Sequence, residues 1–269
     1  MSQTPAVSRA AIFDLSSTRP IPFVRLVAVE LRKSYDTRAG FWLLFTIGFL
    51  VLVAETIVLV VTTVQDEPIT FGDFVGTAAF VTSVLLPVLG IILVTSEWGQ
   101  RTAMVSFTLE PRRPRVVLAK LVVGLVLTLA TALLATALGA LCNLIYVAIE
   151  GDGSWLFGWN FFVGFLITQS FAMLGGFAMA TLLLNTPAAI VFFFVYKWVL
   201  SGLFALGSAL IGWFGDLSPW IDFQSAQGPI FDLTLNTAEE WGHLIVSGAI
   251  WLLLPLGLGL WRILRAEVK

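Results

Sequence analysis

Few side chains in this sequence could do covalent chemistry, and their spacing excludes most enzyme classes. Cys142 is the single cysteine and His243 the single histidine. One thiol and one imidazole, far apart in the chain, form neither a disulfide framework nor a metal-ligand pattern. An intramembrane protease would need a Ser–His pair or two aspartates inside an apolar run, and the sequence offers neither arrangement. We therefore predict no catalytic residue and no metal site, and we interpret His243 as an interfacial residue.

The positions of the lysines exclude a Walker A site for ATP. A Walker A loop needs Gly-Lys followed by Ser or Thr, because backbone N–H groups and the lysine hold the phosphates together. The four lysines follow Arg32, Ala119, Tyr196 and Val268, and never a glycine. We expect no nucleotide site and no bound cofactor in this chain. Nucleic-acid binding is not expected either, because every basic cluster adjoins an apolar run.

Two ionisable residues, Glu55 and Lys197, lie deep within apolar runs. A charge at the centre of a bilayer costs about 2.5–3.5 kcal/mol on insertion scales, so each should face protein or water rather than lipid. Two interpretations stay open. The residues form an ion pair, within one chain or between two copies, that fixes the register of their helices, or they line a central pathway.

The elements that position these residues are apolar helices. Of 269 residues, 58% are hydrophobic and 12% are charged, and the mean hydropathy is +0.94. Soluble domains are about 45–50% apolar and roughly 25% charged, so the composition indicates an integral membrane protein. Six runs reach the length of about 20 residues that a spanning helix needs: 41–64, 74–95, 118–149, 156–184, 188–214 and 243–264. None alternates as a membrane β-barrel strand does. We predict an all-α membrane protein with a six-helix domain over 41–264.

The charge distribution predicts the orientation. Fourteen of the fifteen Lys and Arg residues lie before span one, around the connection between spans two and three, or around the end of span six; Lys197 is the exception. The connections after spans one, three and five carry acids and no Lys or Arg. Because basic residues concentrate on the cytoplasmic side, we predict cytoplasmic N and C termini in a multi-pass protein of the plasma (inner) membrane.

The segments before span one and after span five have their own patterns. Residues 1–20 are polar, and we expect a disordered tail. Apolar residues recur at helical spacing over 21–38, which predicts an amphipathic helix in the cytoplasmic interface; the simpler interpretation is a basic anchor beside the membrane. The connection 215–242 mixes apolar residues with Pro and Gly, and it predicts short helices that dip into the outer leaflet.

Span four contains a stripe of small residues, Ala172, Gly176 and Ala180. Such a stripe lets two helices approach closely. We favour packing within the subunit, and a contact between two copies is the alternative.

The most charged segment runs from Ser96 to Lys120 and reads SEWGQRTAMVSFTLEPRRPRVVLAK. It predicts a short helix from about Glu97 to Thr108, a turn at Pro111, and an early start to span three. That span would then cover about 32 residues, or about 48 Å, and would project beyond the hydrocarbon core. A short exposed helix flanked by arginines is suited to dock another protein. Contact of the basic cluster with anionic lipid is the simpler interpretation, but it does not account for the acid-and-glycine pattern.

This segment resembles the first cytoplasmic loop of ABC-2 type transporter permeases. In that family an acid-x-x-Gly-Thr stretch precedes Leu, Pro and Arg, and then a Lys that opens span three. The matching residues here are Glu97, Gly99, Thr102, Leu109, Pro111, Arg112, Arg113 and Lys120. The stretch Val29-Glu30-Leu31-Arg32-Lys33 resembles the family's helix before span one. The chain departs from the pattern in separating Gly99 from Thr102 and in following Pro111 with Arg-Arg-Pro.

The resemblance implies an ABC-2 (type V exporter-like) fold and a transport function. The chain would be the permease subunit of an ABC transporter, usually an exporter. Its partners would be membrane lipid, a second permease subunit, and two copies of a cytosolic ATPase that binds ATP and Mg. We expect the second subunit to be an identical copy, and a related permease is the alternative. The sequence does not indicate the substrate.

The resemblance also assigns site residues. The loop 96–117 would couple the permease to its ATPase through Glu97, Gly99, Arg101, Thr102, Glu110, Pro111, Arg112 and Arg113. Glu30, Arg32 and Lys33 would belong to the interfacial helix, and Glu55 and Lys197 would lie near a pathway between spans one and five. The alternative is a six-helix secondary carrier or structural membrane protein without an ATPase. A carrier usually shows broken helices and charges at matching places in two repeats, and no repeat is visible here.

Overall fold

The computed structural model describes residues 21–100, 102, 108–151, 154–155 and 158–265, so the predicted disordered tail 1–20 lies outside it. The described residues form helices and no strand. In chain order the helices are α1 (Phe23–Asp36), α2 (Arg38–Gln65), α3 (Phe71–Gly99), α4 (Arg113–Glu150), α5 (Trp159–Leu183), α6 (Thr186–Leu210), α7 (Gly212–Ile221), α8 (Phe223–Ala226), α9 (Gly228–Phe231) and α10 (Ala238–Arg265).

Six of these helices, α2 to α6 and α10, are long and apolar enough to cross a membrane. This confirms the predicted number of spans and fits a multi-pass membrane protein. Several helices begin before the predicted apolar runs because polar residues cap them. Thr70 and Asp73 form a capping box before α3, and Thr237 and Glu240 form one before α10. Such caps satisfy the free N–H groups of the first turn, and hydropathy does not detect them.

The prediction for span five is wrong at its C-terminal end. The helix stops at Leu210 rather than residue 214, and Ile211 has an extended backbone with φ −128° and ψ 107°. The chain then folds back as α7. Gly207 makes room for this turn, since a Cβ there would lie 2.8 Å from the ring of Phe214. The apolar run continues through the break, so composition does not reveal it.

The centre of the bundle is α3, which packs against α2, α4 and α5. Its contact with α5 is close because glycines lie on both helices. A Cβ on Gly176 would collide with the carbonyl of Pro87, and a Cβ on Gly90 would collide with the carbonyl of Met173. Gly176 therefore has the packing role within the subunit that the sequence favours.

Contacts between helix ends define one end of the bundle, here called the basic end. The last turns of α3 meet the start of α6, where the hydroxyls of Thr95 and Thr186 are 2.7 Å apart. Arg113 opens α4 and donates to the carbonyl of Ile263 near the end of α10, at 2.7 Å. The helix α4 has 38 residues, or about 57 Å, so it extends well beyond a hydrocarbon core of about 30 Å. The opposite end, called the far end, carries α7 to α9.

Gly176→Ala should destabilise the protein, because its methyl group meets backbone rather than a flexible side chain. Overpacking of this kind costs typically about 1–3 kcal/mol. Gly202→Ala is the matched control, because a Cβ on that helical glycine meets nothing within 4 Å. Thermal unfolding in detergent should show a lower midpoint than wild type for Gly176→Ala. The midpoint of Gly202→Ala should not be lowered. A midpoint for Gly176→Ala at or above wild type would contradict the close crossing.

Candidate functional site

Four charged residues from three helices meet at the basic end, and we call them the four-charge network: Glu30 and Lys33 of α1, Glu97 of α3 and Lys120 of α4. Lys120 Nζ donates to Glu30 Oε2 at 2.7 Å, and Lys33 Nζ donates to Glu30 Oε1 at 2.7 Å. Lys33 Nζ also donates to Glu97 Oε1 at 2.8 Å, while Lys120 Nζ lies 3.4 Å from that oxygen. Each acid therefore contacts both lysines.

The local sequence explains how α1 reaches this position. Glu30 and Lys33 are three positions apart and so lie on one face of the helix. Thr37 separates α1 from α2, and its hydroxyl accepts from the backbone N–H of Gly40 at 3.2 Å. A Cβ on Gly40 would collide with the carbonyl of Ser34, so a glycine is needed at this tight turn. The turn folds α1 back against the start of α4.

Burial makes the network energetically important. Glu30 is 2% exposed and Lys120 is 6% exposed, so neither charge has water as its main partner. Two acids and two lysines make the cluster neutral. Removing one member of a buried ion pair costs about 3–5 kcal/mol, because it leaves the other charge buried without compensation. The loss of Glu30 or Lys120 should therefore weaken the contact between α1 and α4.

The protonation of Lys33 follows from its partners. Burial acts to lower the pKa of its amine, but the hydrogen bonds to Glu30 and Glu97 and the negative charges of these two acids together outweigh burial and hold the pKa above the ordinary value of 10.5. Lys33 is therefore positively charged at neutral pH, as the ion pairs require.

A second ion pair fixes the chain just before α4. Arg115 donates to Glu110 Oε2 at 2.9 Å, and it also donates to the carbonyl of Ile21 at 2.9 Å. The other oxygen of Glu110 accepts from the backbone N–H of Arg112 at 3.3 Å. Glu110 is 6% exposed. This pair links the end of the predicted coupling loop to the beginning of α1.

The predicted short helix does not begin at Glu97. Residues Glu97 to Gly99 complete α3, and the N–H of Gln100 closes that helix on the carbonyl of Ser96 at 3.1 Å. The continuous hydrogen bonding of α3 extends the second span by one turn, which places Glu97 beside the network. Residues 101 and 103–107, and with them Arg101, lie outside the described residues.

The remaining predicted coupling residues lie around this cluster. Gly99 is exposed at the end of α3, and the N–H of Thr102, also exposed, donates to the carbonyl of Glu97 at 2.9 Å. Pro111 and Arg112 are exposed, whereas Arg113 is partly buried against the end of α10. The structure thus brings Glu97 and Glu110 into ion pairs and leaves Arg112 facing outward.

Arg32 does not belong to the network. It is exposed and pairs with Asp36 one turn further along α1, at 2.8 Å. The face of α1 that carries Arg32 is thus distinct from the face that carries Glu30.

A cleft of about 680 Å³ lies between α1, the start of α2, the end of α3 and the start of α4. Its apolar wall includes Leu43, Leu89 and Leu93, and the four-charge network lies at its charged side. Among the described residues no group of three His, Cys, Asp or Glu could hold a metal ion. The arrangement joins helices by charge; it does not pair a nucleophile with a base.

Glu55 and Lys197 do not form an ion pair within the chain. Glu55 is completely buried, and within the described residues its carboxylate has no hydrogen-bond partner. It faces α4, since a Cβ on Gly139 would lie 3.4 Å from its Oε1. Lys197 instead donates to the carbonyl of Ser83 on α3 at 2.9 Å. Sequence position gives the depth of each residue but not the direction in which its side chain points.

Sequence reasoning missed the pairing of Lys120 with Glu30 and of Arg115 with Glu110. Lys120 entered only as part of a family pattern, and Arg115 only as one of the arginines between Ser96 and Lys120. Glu30 and Lys120 are 90 positions apart, so no spacing rule links them. The one available signal was Glu30 itself, an acid on a helix whose other residues predict an amphipathic interfacial helix.

Comparison with known proteins adds no family to this geometry. No protein-family model matches the chain, and a search of curated proteins finds no match either. The functional argument therefore rests on the residues themselves.

The raised pKa of Lys33 predicts how stability responds to alkaline pH. A group whose pKa is higher in the folded state contributes its full stabilisation below its unfolded pKa and loses it as pH rises through the folded value. The stabilisation from Lys33 is therefore complete below pH 10.5 and decreases above it. Lys33→Met should have a lower thermal midpoint than wild type at neutral pH, and the difference should narrow above pH 10.5. A difference that stays constant over the alkaline range would contradict this assignment.

Proposed function

We propose that the chain is the permease subunit of an ABC transporter of the ABC-2 type, working as an exporter with a separate cytosolic ATPase. The observation that carries the proposal is the four-charge network. All four of its members belong to the two segments that resemble that family. Glu30 and Lys33 lie in the stretch before span one, and Glu97 and Lys120 lie in the segment between spans two and three. Segments that resemble the family at separate places in the chain therefore meet at one place in the fold.

The position of the loop supports a coupling role. Glu97 lies in the last turn of α3, and Glu110 lies just before α4. Glu97 pairs with Lys33 of α1, and Glu110 pairs with Arg115, which also donates to the carbonyl of Ile21 just before α1. A force applied to this loop would therefore act on α1, α3 and α4 together rather than on one helix. A rigid joint of this kind suits a subunit that must pass the motion of an ATPase into the bundle.

Among the described residues assigned to coupling, Arg112 is the arginine free to contact a partner. Its side chain is exposed, while Arg113 beside it donates to the end of α10. Arginine is well suited to bind carboxylates on another protein through two parallel hydrogen bonds. We assign Arg112 to the ATPase contact and Arg113 to the internal packing of the permease.

The orientation forms part of the proposal. Basic residues cluster at the end of the bundle that carries the network, and such clusters lie on the cytoplasmic side of membrane proteins. The network and the loop would then face the ATPase in the cytoplasm of the cell, with both termini on that side. The α7–α9 end would face outward.

Affinity purification tests the proposal. A tagged chain, solubilised in mild detergent from its native membrane, should bring down a polypeptide with a Walker A sequence. In Arg112→Gln, recovery of that partner should fall about tenfold, as expected for the loss of one charged hydrogen bond worth about 1.5 kcal/mol.

Arg265→Gln is the matched control. It removes an exposed arginine near the end of α10, whose guanidinium lies 4.5 Å from the ring of Trp261, and it should leave recovery unchanged. Recovery of the chain with no Walker A partner would contradict the proposal and favour the secondary carrier. An equal loss in both variants would show that general basic charge, rather than Arg112, attracts the ATPase.

A further inference from the structure

A second cavity, distinct from the charged cleft, lies between α3, α5, α6, α8, α9 and α10. It has a volume of about 220 Å³, and we call it the Lys197 pocket. Its rim on the far-end side includes Gln224 of α8 and Gly228, the first residue of α9, both exposed. Three of the polar side chains that line it are buried, Gln169, Tyr196 and Lys197. The bundle therefore has a polar cavity among otherwise apolar helices.

Lys197 has an unused capacity to donate hydrogen bonds. It is 6% exposed, and its ammonium donates to the carbonyl of Ser83 at 2.9 Å. An ammonium has three donors. In the described part of the chain no carboxylate forms an ion pair with Lys197. A cation inside a span is costly, so a positive charge that lines a cavity without a counter-ion fits an anionic ligand.

Two neighbouring groups also lack partners. Gln169 is 3% exposed; its amide nitrogen donates to the carbonyl of Ala79 at 3.1 Å, while its Oε1 has no partner among the described residues. The hydroxyl of Tyr196, which is 6% exposed, has none either. Buried polar atoms are almost always hydrogen-bonded, so such exceptions require an explanation. A ligand that accepts from Tyr196 and donates to Gln169 would satisfy both.

Local helix geometry brings these groups together. Tyr196 and Lys197 lie on a π-helical turn of α6, Val195–Leu200, and Trp251 lies on a π-helical turn of α10, Ala249–Leu253. The rings of Tyr196 and Trp251 stack with centroids 4.1 Å apart. Isolated π-helical turns occur frequently at functional sites. Here both turns line the same cavity.

Aromatic rings form much of the remaining wall of the pocket. The rings that line it are those of Phe171, Phe193, Phe223, Phe231 and Trp251. One ammonium among aromatic rings matches a ligand with one negative charge on a flat apolar body. A small aromatic carboxylate meets both requirements, and a hydroxyl on its ring would supply a donor for Gln169.

We propose that the Lys197 pocket is a binding site for a small aromatic carboxylate, held by the Lys197 ammonium and the Tyr196 hydroxyl. Gln169 accepts from a hydroxyl of the ligand. The site needs neither the four-charge network nor an ATPase, so it stands whether or not the proposed transport function is correct.

Equilibrium dialysis of the purified full-length protein in detergent micelles tests the site. Benzoate should bind at least about tenfold more tightly than benzamide, which has the same shape without the charge. At least one of the three hydroxybenzoate isomers should bind more tightly than benzoate. Equal binding of benzoate and benzamide, or no binding of either, would overturn the proposal.

Variants identify the residues. Lys197→Met should weaken benzoate binding at least about tenfold. Tyr196→Phe removes only a hydroxyl and should weaken benzoate binding severalfold. This variant keeps the test decisive if Lys197→Met does not fold. In Gln169→Leu, the hydroxybenzoate should no longer bind more tightly than benzoate. The control is Ser170→Ala, because the Ser170 hydroxyl donates to Leu166 of its own helix and does not line the pocket. Wild-type binding by a folded Lys197→Met protein would overturn the assignment.

A lipid is the other source of a single negative charge. Phosphatidylglycerol added to the micelles should not displace benzoate more effectively than phosphatidylcholine does. Selective displacement by phosphatidylglycerol would show that the pocket takes a lipid phosphodiester, and it would overturn the proposal of a carboxylate ligand.

Discussion

The ion pairs between Glu30 and the lysines Lys33 and Lys120 fix the arrangement of the basic end. In lipid, apolar helices gain little by burying apolar surface against one another, so close packing and polar contacts decide how they fit. Glycines allow close packing where α3 crosses α5, and the four charges provide specific contacts where α1, α3 and α4 meet. Because Glu30 is shared by both lysines, α1 cannot move away from α4 without exposing a buried charge.

Sequence reasoning predicted the spans well, but it predicted poorly which charged residues on different helices contact each other. Hydropathy and length predicted six spanning helices. The same criteria misplaced the end of α6, because the apolar run continues past the break at Ile211. Sequence reasoning selected Glu30, Lys33 and Glu97 separately. Their contacts join positions up to 90 residues apart, and only the packing of the helices brings such positions together.

The interior polar groups show the same limitation. Glu55 and Lys197 were recognised because charges are rare in apolar runs, but a pair within the chain does not form, since their side chains face α4 and α3 respectively. The pocket around Lys197 could not be predicted, because Gln169 lies in another span and composition does not reveal π-helical turns. The charges of the four-charge network are paired with one another, whereas Lys197, midway along α6, lines a cavity without a counter-ion in the described chain.

The most direct test of the four-charge network is a comparison of two double-mutant cycles for thermal stability. The first cycle combines Glu30→Gln with Lys120→Met, and the second combines Arg32→Gln with Asp36→Asn, an exposed pair on the same helix. The account predicts a coupling energy of about 1–3 kcal/mol for the buried pair and a much smaller one for the exposed pair, because water and salt screen exposed charges. Additive effects of Glu30→Gln and Lys120→Met would show that these charges act independently, and they would contradict the view that the network joins α1 to α4.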